Sequence, residues 1–151
     1  TVSIVRNNCF LDVMEDKYKD IKILGSQPAD WNREKAQKTM ETFLTQFGDK
    51  INGVYAFDDG MGLGVISALQ AAGKKPGEVK VVTCNLFGEG WDAIKAGWET
   101  GSGKQSPIDD AELAIRTAIK VVNGIEVPKS QDIEIDKITA TNVDKFERPS
   151  W

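Results

Sequence analysis

The sequence predicts an α/β fold, a parallel sheet with helices on both faces. Three observations carry this. Short apolar runs alternate along the chain with stretches of helical period, each helical stretch is long enough to carry the chain back across a sheet, and glycines close those stretches. Strands joined in this way pair in parallel through right-handed crossovers.

The first element fits two descriptions. Val2 and Ile4 alternate as in a strand, whereas Val2, Val5, Cys9, Phe10, Val13 and Met14 share one helical face. The longer pattern outlasts the alternation, so a helix is expected from Val2 to Lys17. Ile21 to Leu24 reads as a short apolar strand. The tract Gln27-Pro28-Ala29-Asp30-Trp31-Asn32-Arg33 joins it to a helix over Asn32 to Phe47, where Ala36, Met40, Phe43, Leu44 and Phe47 recur at helical spacing before Gly48. Gly53 to Phe57 is nearly all apolar, as in a strand covered on both faces. From Asp59 to Ala72, Met61, Val65, Ala68, Leu69 and Ala72 form one stripe that ends at Gly73. Val79 to Thr83 is the next strand, and a short helix with Trp91 and Ile94 inward follows it. Ser106-Pro107-Ile108-Asp109 opens another helix with a capping residue, a proline at the first helical position and an acid in the first turn. That helix runs to Val122 and stops at Asn123-Gly124. Ile133, Ile135 and Ile138 mark a last extended stretch, and Thr141 to Phe146 a last short helix. A doubly wound sheet needs a strand before its first helix, so the lobe is expected to be truncated at its amino end.

Composition narrows the function. At 151 residues, 40% hydrophobic and 28% charged, the chain suits one domain with a sizeable core. Its net charge of −4 disfavours nucleic acid or an acidic membrane as partner, because phosphates call for a basic face. No apolar run approaches the roughly 20 residues of a membrane span, so no membrane insertion is expected. Histidine is absent, which removes the commonest metal ligand and the commonest general base near neutral pH. Gly60-x-Gly62-x-Gly64 lacks the dinucleotide-binding spacing. Gly101-Ser102-Gly103-Lys104 lacks the first glycine and the Ser or Thr of a phosphate loop. Asp58-Asp59 lacks the further acids and the lysine of a phosphoacceptor site. Neither a cofactor nor a metal nor an enzymatic activity is expected.

Polar residues recur at the carboxyl ends of the strands, where open α/β sheets hold small ligands. The order and spacing of Arg6-x-x-Cys9-Phe10, Ser26-Gln27-Pro28-Ala29-Asp30-Trp31-Asn32-Arg33, Tyr55-Ala56-Phe57-Asp58-Asp59-Gly60-Met61-Gly62-Leu63-Gly64, Val81-Val82-Thr83-Cys84-Asn85 and Gln105-Ser106-Pro107 resembles the periplasmic ribose-binding protein family. More broadly, it is similar to the substrate-binding proteins of bacterial sugar ABC transporters. The resemblance runs to the tail Ile138-Thr139-Ala140-Thr141-Asn142-Val143-Asp144. It implies that residues 1–151 are the carboxyl-terminal, Rossmann-like lobe of a type I periplasmic binding protein whose amino-terminal lobe lies outside this chain. It also implies a strand, likewise outside the chain, between Ile21–Leu24 and Gly53–Phe57. A monosaccharide or polyol ligand, an ABC permease partner, a monomeric full protein and a periplasmic location follow from the same resemblance.

The resemblance assigns five ligand-binding residues: Arg6, Trp31, Asp58, Asn85 and Gln105. Arg6 would donate to sugar hydroxyls through its planar fork; the alternative is a solvated helix arginine. Trp31 would pack on the apolar face of the sugar ring, or else cover a helix start. Asp58 would accept from a hydroxyl, or else serve as a helix-start acid as Asp59 does. The family usually has asparagine at the position of Asp58 and aspartate at that of Asn85. This chain reverses both, so another pentose, a hexose or a polyol is as good a candidate as ribose. Gln105 would donate and accept at once, or else be a plain loop residue before the Ser106 cap. Cys9 and Cys84 fit packed small apolar residues better than a redox pair, and a bridge between them stays open. Trp91, Trp98 and Phe87 are expected in the core or under loops. A second function, the effector domain of a sugar-responsive transcription repressor, would use the same lobe.

Overall fold

A computed structural model describes residues 2–151. The elements run α1 (Val2–Lys17), α2 (Arg33–Phe47), β1 (Gly53–Tyr55), α3 (Asp59–Ala71), β2 (Lys80–Asn85), α4 (Gly88–Lys95), β3 (Gly101–Lys104), α5 (Pro107–Val122) and β4 (Asp136–Thr139), with single 3-10 turns at Gly48–Lys50 and Val143–Lys145. The strands form one sheet in the order β1-β2-β3-β4. β1 and β3 flank β2 in parallel, and β4 pairs antiparallel with β3. The expected parallel sheet is therefore a mixed, mostly parallel one with an antiparallel edge strand, a common variant of α/β sheets.

Side chains alternate across a strand, so Val81 and Thr83 of β2 point to one face and Val82 and Cys84 to the other. α3 lies on the Thr83 face. A Cβ on its Gly62 would stand 2.4 Å from the Thr83 methyl carbon. α2 rests on α3 just as closely, because a Cβ on Gly64 would meet the Arg33 carbonyl oxygen at 2.2 Å. Between these helices and the sheet lies the core of Met40, Leu63, Ile66, Leu69, Val79 and Val81. Leu86, Ile94, Ile138 and Val143 form a second buried cluster, against which Trp91 packs, while Trp98 packs on the first. Tyr55 pairs with Val82 and so faces the other way. There Phe10 of α1 stacks on it, ring centroids 5.0 Å apart.

The structure corrects several expectations. Ile21 to Leu24 forms no strand: Ile21 lies in a bend and donates its N–H to the Tyr18 carbonyl at 2.9 Å, and β1, the edge of the sheet, has no strand paired on its outer side among the described residues. An apolar run becomes a strand only with such a partner. Leu24 instead packs against the core beside Phe43 and Phe47. Gly101–Lys104, read as a failed phosphate loop, is the strand β3; its glycines hid it, yet they admit β4, since a Cβ on Gly101 would lie 2.6 Å from the Ile138 carbonyl oxygen. Ile133 and Ile135 stay outside β4, and the last helix shrinks to the 3-10 turn. α1 and α5 bury no residue completely. No helix among the described residues is long and apolar enough to cross a membrane.

Candidate ligand-binding site

Two corners of the backbone build the site. At the first, Asn32 caps α2 by accepting the Lys35 N–H at 2.9 Å. The chain reaches this cap through Asp30 and Trp31, both left-handed with φ of 52° and 57°. At the second, where β2 passes into α4, Asn85 and Leu86 have φ of 97° and 57°. Leu86 is fully buried in the second core cluster, which fixes this corner from below. Left-handed conformations cost non-glycine residues about 1–3 kcal/mol each. Their pairing at two neighbouring corners marks where the fold has been bent to present side chains.

Arg6 reaches these corners from α1. Its Nη1 donates to the Phe57 carbonyl, and its Nη2 donates to Asn85 Oδ1 at 2.9 Å and Gln105 Oε1 at 3.2 Å. The guanidinium carbon lies 5.7 Å from the Trp31 ring centroid, within cation–π range. Gln105 also donates through Nε2 to Asp110 Oδ2 at 3.2 Å. Arg6, Trp31, Asn85 and Gln105 thus line one open cavity of about 550 Å³, together with Phe87, Pro107, Asp110 and Trp151. Every acceptor of Arg6 is neutral, and no carboxylate pairs with it among the described residues. The guanidinium is therefore held by neutral acceptors in the wall of the cavity, where its N–H groups can donate to oxygen atoms.

Asp58 stands apart from the other four. Its Oδ1 accepts the Met61 N–H at 2.7 Å, which makes it the N-cap of α3, and it does not line the cavity. Asp59, expected as a cap, is instead fully buried. Its Oδ1 accepts from Thr83 Oγ1 at 2.6 Å and from Ser102 Oγ at 3.1 Å, and its Oδ2 accepts the Phe87 N–H at 2.8 Å. Glu99, 1% exposed, joins them through Thr83 Oγ1. Burial raises the Asp59 carboxyl above its ordinary range, against the hydrogen bonds it accepts. Burial pushes Glu99 up to about 8, with the Asp59 charge adding to the rise and the Thr83 hydrogen bond opposing it.

Sequence reasoning missed Glu99, because a charged residue between Trp98 and Thr100 reads as a solvated loop. It also missed Asp110 and Trp151, and it placed Phe87 in the core or under a loop, whereas Phe87 lines the cavity. Phe87 did carry a signal, standing two residues past Asn85 at a strand end. Both thiols are free: Cys9 is exposed rather than packed, and Cys84 Sγ is 3.6 Å from the Tyr55 hydroxyl. No group of three His, Cys, Asp or Glu among the described residues could hold a metal ion.

Residues 1–126 match the periplasmic binding protein domain model. A xylitol-binding protein of Mycolicibacterium smegmatis is 33% identical over 89% of this chain and 38% of its own length. A D-allose-binding periplasmic protein of Escherichia coli is 38% identical over 68% of this chain and 32% of its own length. Among solved structures, a Caulobacter myo-inositol binding protein with bound myo-inositol superposes with a TM-score of 0.85 at 26% identity, covering 97% of this chain and 50% of that one. The chain thus spans half or less of the length of these relatives. Its mixed sheet, its flanking helices and the extent of the match together make it a member of the periplasmic binding protein domain family.

Proposed function

We propose that residues 1–151 form the carboxyl-terminal lobe of a two-lobed solute-binding protein that holds a monosaccharide or polyol between its lobes and delivers it to an ABC permease from the periplasm. The observation that carries this reading is the convergence of Arg6, Asn85 and Gln105 with Trp31 on one open cavity. A guanidinium, two amides and an aromatic face are the groups that suit vicinal hydroxyls and the apolar side of a ring. The second lobe is supported by α5, whose Ile108, Ile115, Ile119 and Val122 are all more than half exposed. A stripe of that kind ordinarily rests on other protein. Relatives named for xylitol, ribose and allose match this chain to a similar degree, so a pentose, a hexose and a polyol are equal candidates. Closure of the lobes would follow from tighter ligand contact in the closed state.

Calorimetry with ribose, D-allose, xylitol and myo-inositol tests this. The two-lobed protein should bind one of them at micromolar Kd or better, and residues 1–151 alone should bind far more weakly. Arg6→Ala should weaken the two-lobed protein about 10–150-fold, the loss of charged hydrogen bonds worth about 1.5–3 kcal/mol. Tight binding by residues 1–151 alone, or an Arg6→Ala variant with unchanged affinity, would overturn the reading.

A further inference from the structure

Beneath the cavity lies a cluster that ligand binding does not explain. Thr83 Oγ1 is within hydrogen-bond distance of Asp59 Oδ1 at 2.6 Å and of Glu99 Oε1 at 2.5 Å. A hydroxyl has one proton to give. If both carboxyls were ionised, one of these two close oxygen pairs would have no hydrogen between its atoms. One carboxyl must therefore be protonated, and the surroundings decide which. Asp59 receives donors from Phe87 N–H and from Ser102 Oγ, which stabilise a charge. Glu99 Oε2 is buried with no hydrogen-bond partner among the described residues. The proton belongs on Glu99 Oε1, which donates to Thr83 Oγ1, and Thr83 in turn donates to the Asp59 carboxylate.

That chain of donors ends at the ligand cavity. Asp59 Oδ2 holds the backbone N–H of Phe87, which lines the cavity and precedes α4 without any side-chain cap of its own. Thr83 lies two residues before Asn85 on β2, and the left-handed Asn85–Leu86 pair runs between Thr83 and Phe87. We propose that Glu99 is a positioning residue, and that the proton it shares through Thr83 with Asp59 holds the Asn85–Phe87 corner in its binding geometry. When the proton leaves, two carboxylates face each other across one hydroxyl, and the corner loosens.

The groups facing this proton are few. Asp59 comes from α3 and Asp58 from its cap, Thr83 from β2 and Ser102 from β3, while α4 approaches with backbone, Gly90 against Asp59 and the Ala93 carbonyl accepting the Glu99 N–H. No lysine or arginine among the described residues pairs with either carboxyl to hold a second negative charge. With Glu99 near 8 when folded and near its ordinary 4.5 when unfolded, the unfolded chain releases over that interval a proton that the folded chain keeps. Stability from this group is therefore greatest below the lower value, falls as pH rises, and levels off above the upper one. The raised Asp59 acts in the same direction. Asp49 and Asp92, lowered by Lys74 and Arg148, change stability only at acid pH, outside this window.

The test needs no ligand, so its outcome is independent of the transport reading. In the folded protein, carbon-detected NMR should show the Glu99 carboxyl titrating near 8, with the Phe87 and Asn85 amide signals moving at the same midpoint. Glu99→Gln keeps a donor to Thr83 and cannot ionise. It should melt increasingly above the parent protein as pH rises from about 5.5 to about 9, and its Phe87 amide should stay still. A Glu99 carboxyl that titrates below about pH 6, or Phe87 and Asn85 amides indifferent to its titration, would overturn the proposal. The carboxyl titration on the parent protein decides the matter even if the variant fails to fold.

Discussion

α3 and α5 begin alike and end differently. Each is opened by a side-chain cap, Asp58 on the Met61 N–H and Ser106 on the Asp109 N–H, and each carries apolar residues at helical spacing. α3 buries nine residues, among them Leu69 at 1% exposure, whereas α5 buries none completely and leaves Ile115 61% exposed. The reason lies in the strands they join. α3 connects the parallel pair β1 and β2, and a parallel crossover must lay its helix on the sheet. α5 connects β3 to an antiparallel neighbour, which makes no such demand. Helical periodicity thus records that a stripe avoids water. It does not record which surface covers it.

Substitutions can break or sharpen this contrast. The largest effect belongs to α3: Leu69→Ala should cost about 2–5 kcal/mol in denaturant unfolding, through lost burial and the cavity left behind. The two caps come next. Asp58→Ala should cost about 1–2 kcal/mol because it strands a buried N–H, and Ser106→Ala should cost less, near the lower end of about 0.5–2 kcal/mol, because α5 has little packing to lose. Asp58→Asn keeps the cap. A fall in sugar affinity with unchanged stability in that variant would give Asp58 a role in binding beyond capping. The smallest effect is expected at the exposed stripe, where Ile119→Lys should change the unfolding free energy of residues 1–151 by under about 0.5 kcal/mol. The same substitution in a two-lobed protein should be distinctly destabilising. A large cost already in residues 1–151 would erase the contrast between the helices.

Most of the scaffold could be read from the residues because its signals are local. Helical spacing marked α1, α2 and α3, a cap followed by proline marked α5, and apolar runs marked β1 and β2. β3 escaped because Gly101-Ser102-Gly103-Lys104 owes its place to neighbours on both sides rather than to its own side chains. Ile21 to Leu24 failed for the opposite reason, having suitable side chains and no neighbour. At the site, Arg6, Trp31, Asn85 and Gln105 could be named from their spacing and resemblance, and the structure brings them to one cavity. The adjacent acids Asp58 and Asp59 could not be told apart from sequence. An acid just past a strand looks the same whether it caps a helix, meets a ligand or is buried, and only the position of Thr83, Ser102 and Glu99 in space separates the cases.

The outer edge of β1 has a further consequence. Gly53–Tyr55 pairs with β2 on one side and, among the described residues, with no strand on the other, so a short row of peptide groups is left open. An open row of that kind is a template for any other extended chain, including a second molecule of the same kind. Residues 1–151 expressed alone would therefore carry an intrinsic tendency to polymerise edge to edge, and a lysine in place of Val54 on that edge strand would be the simplest way to oppose it.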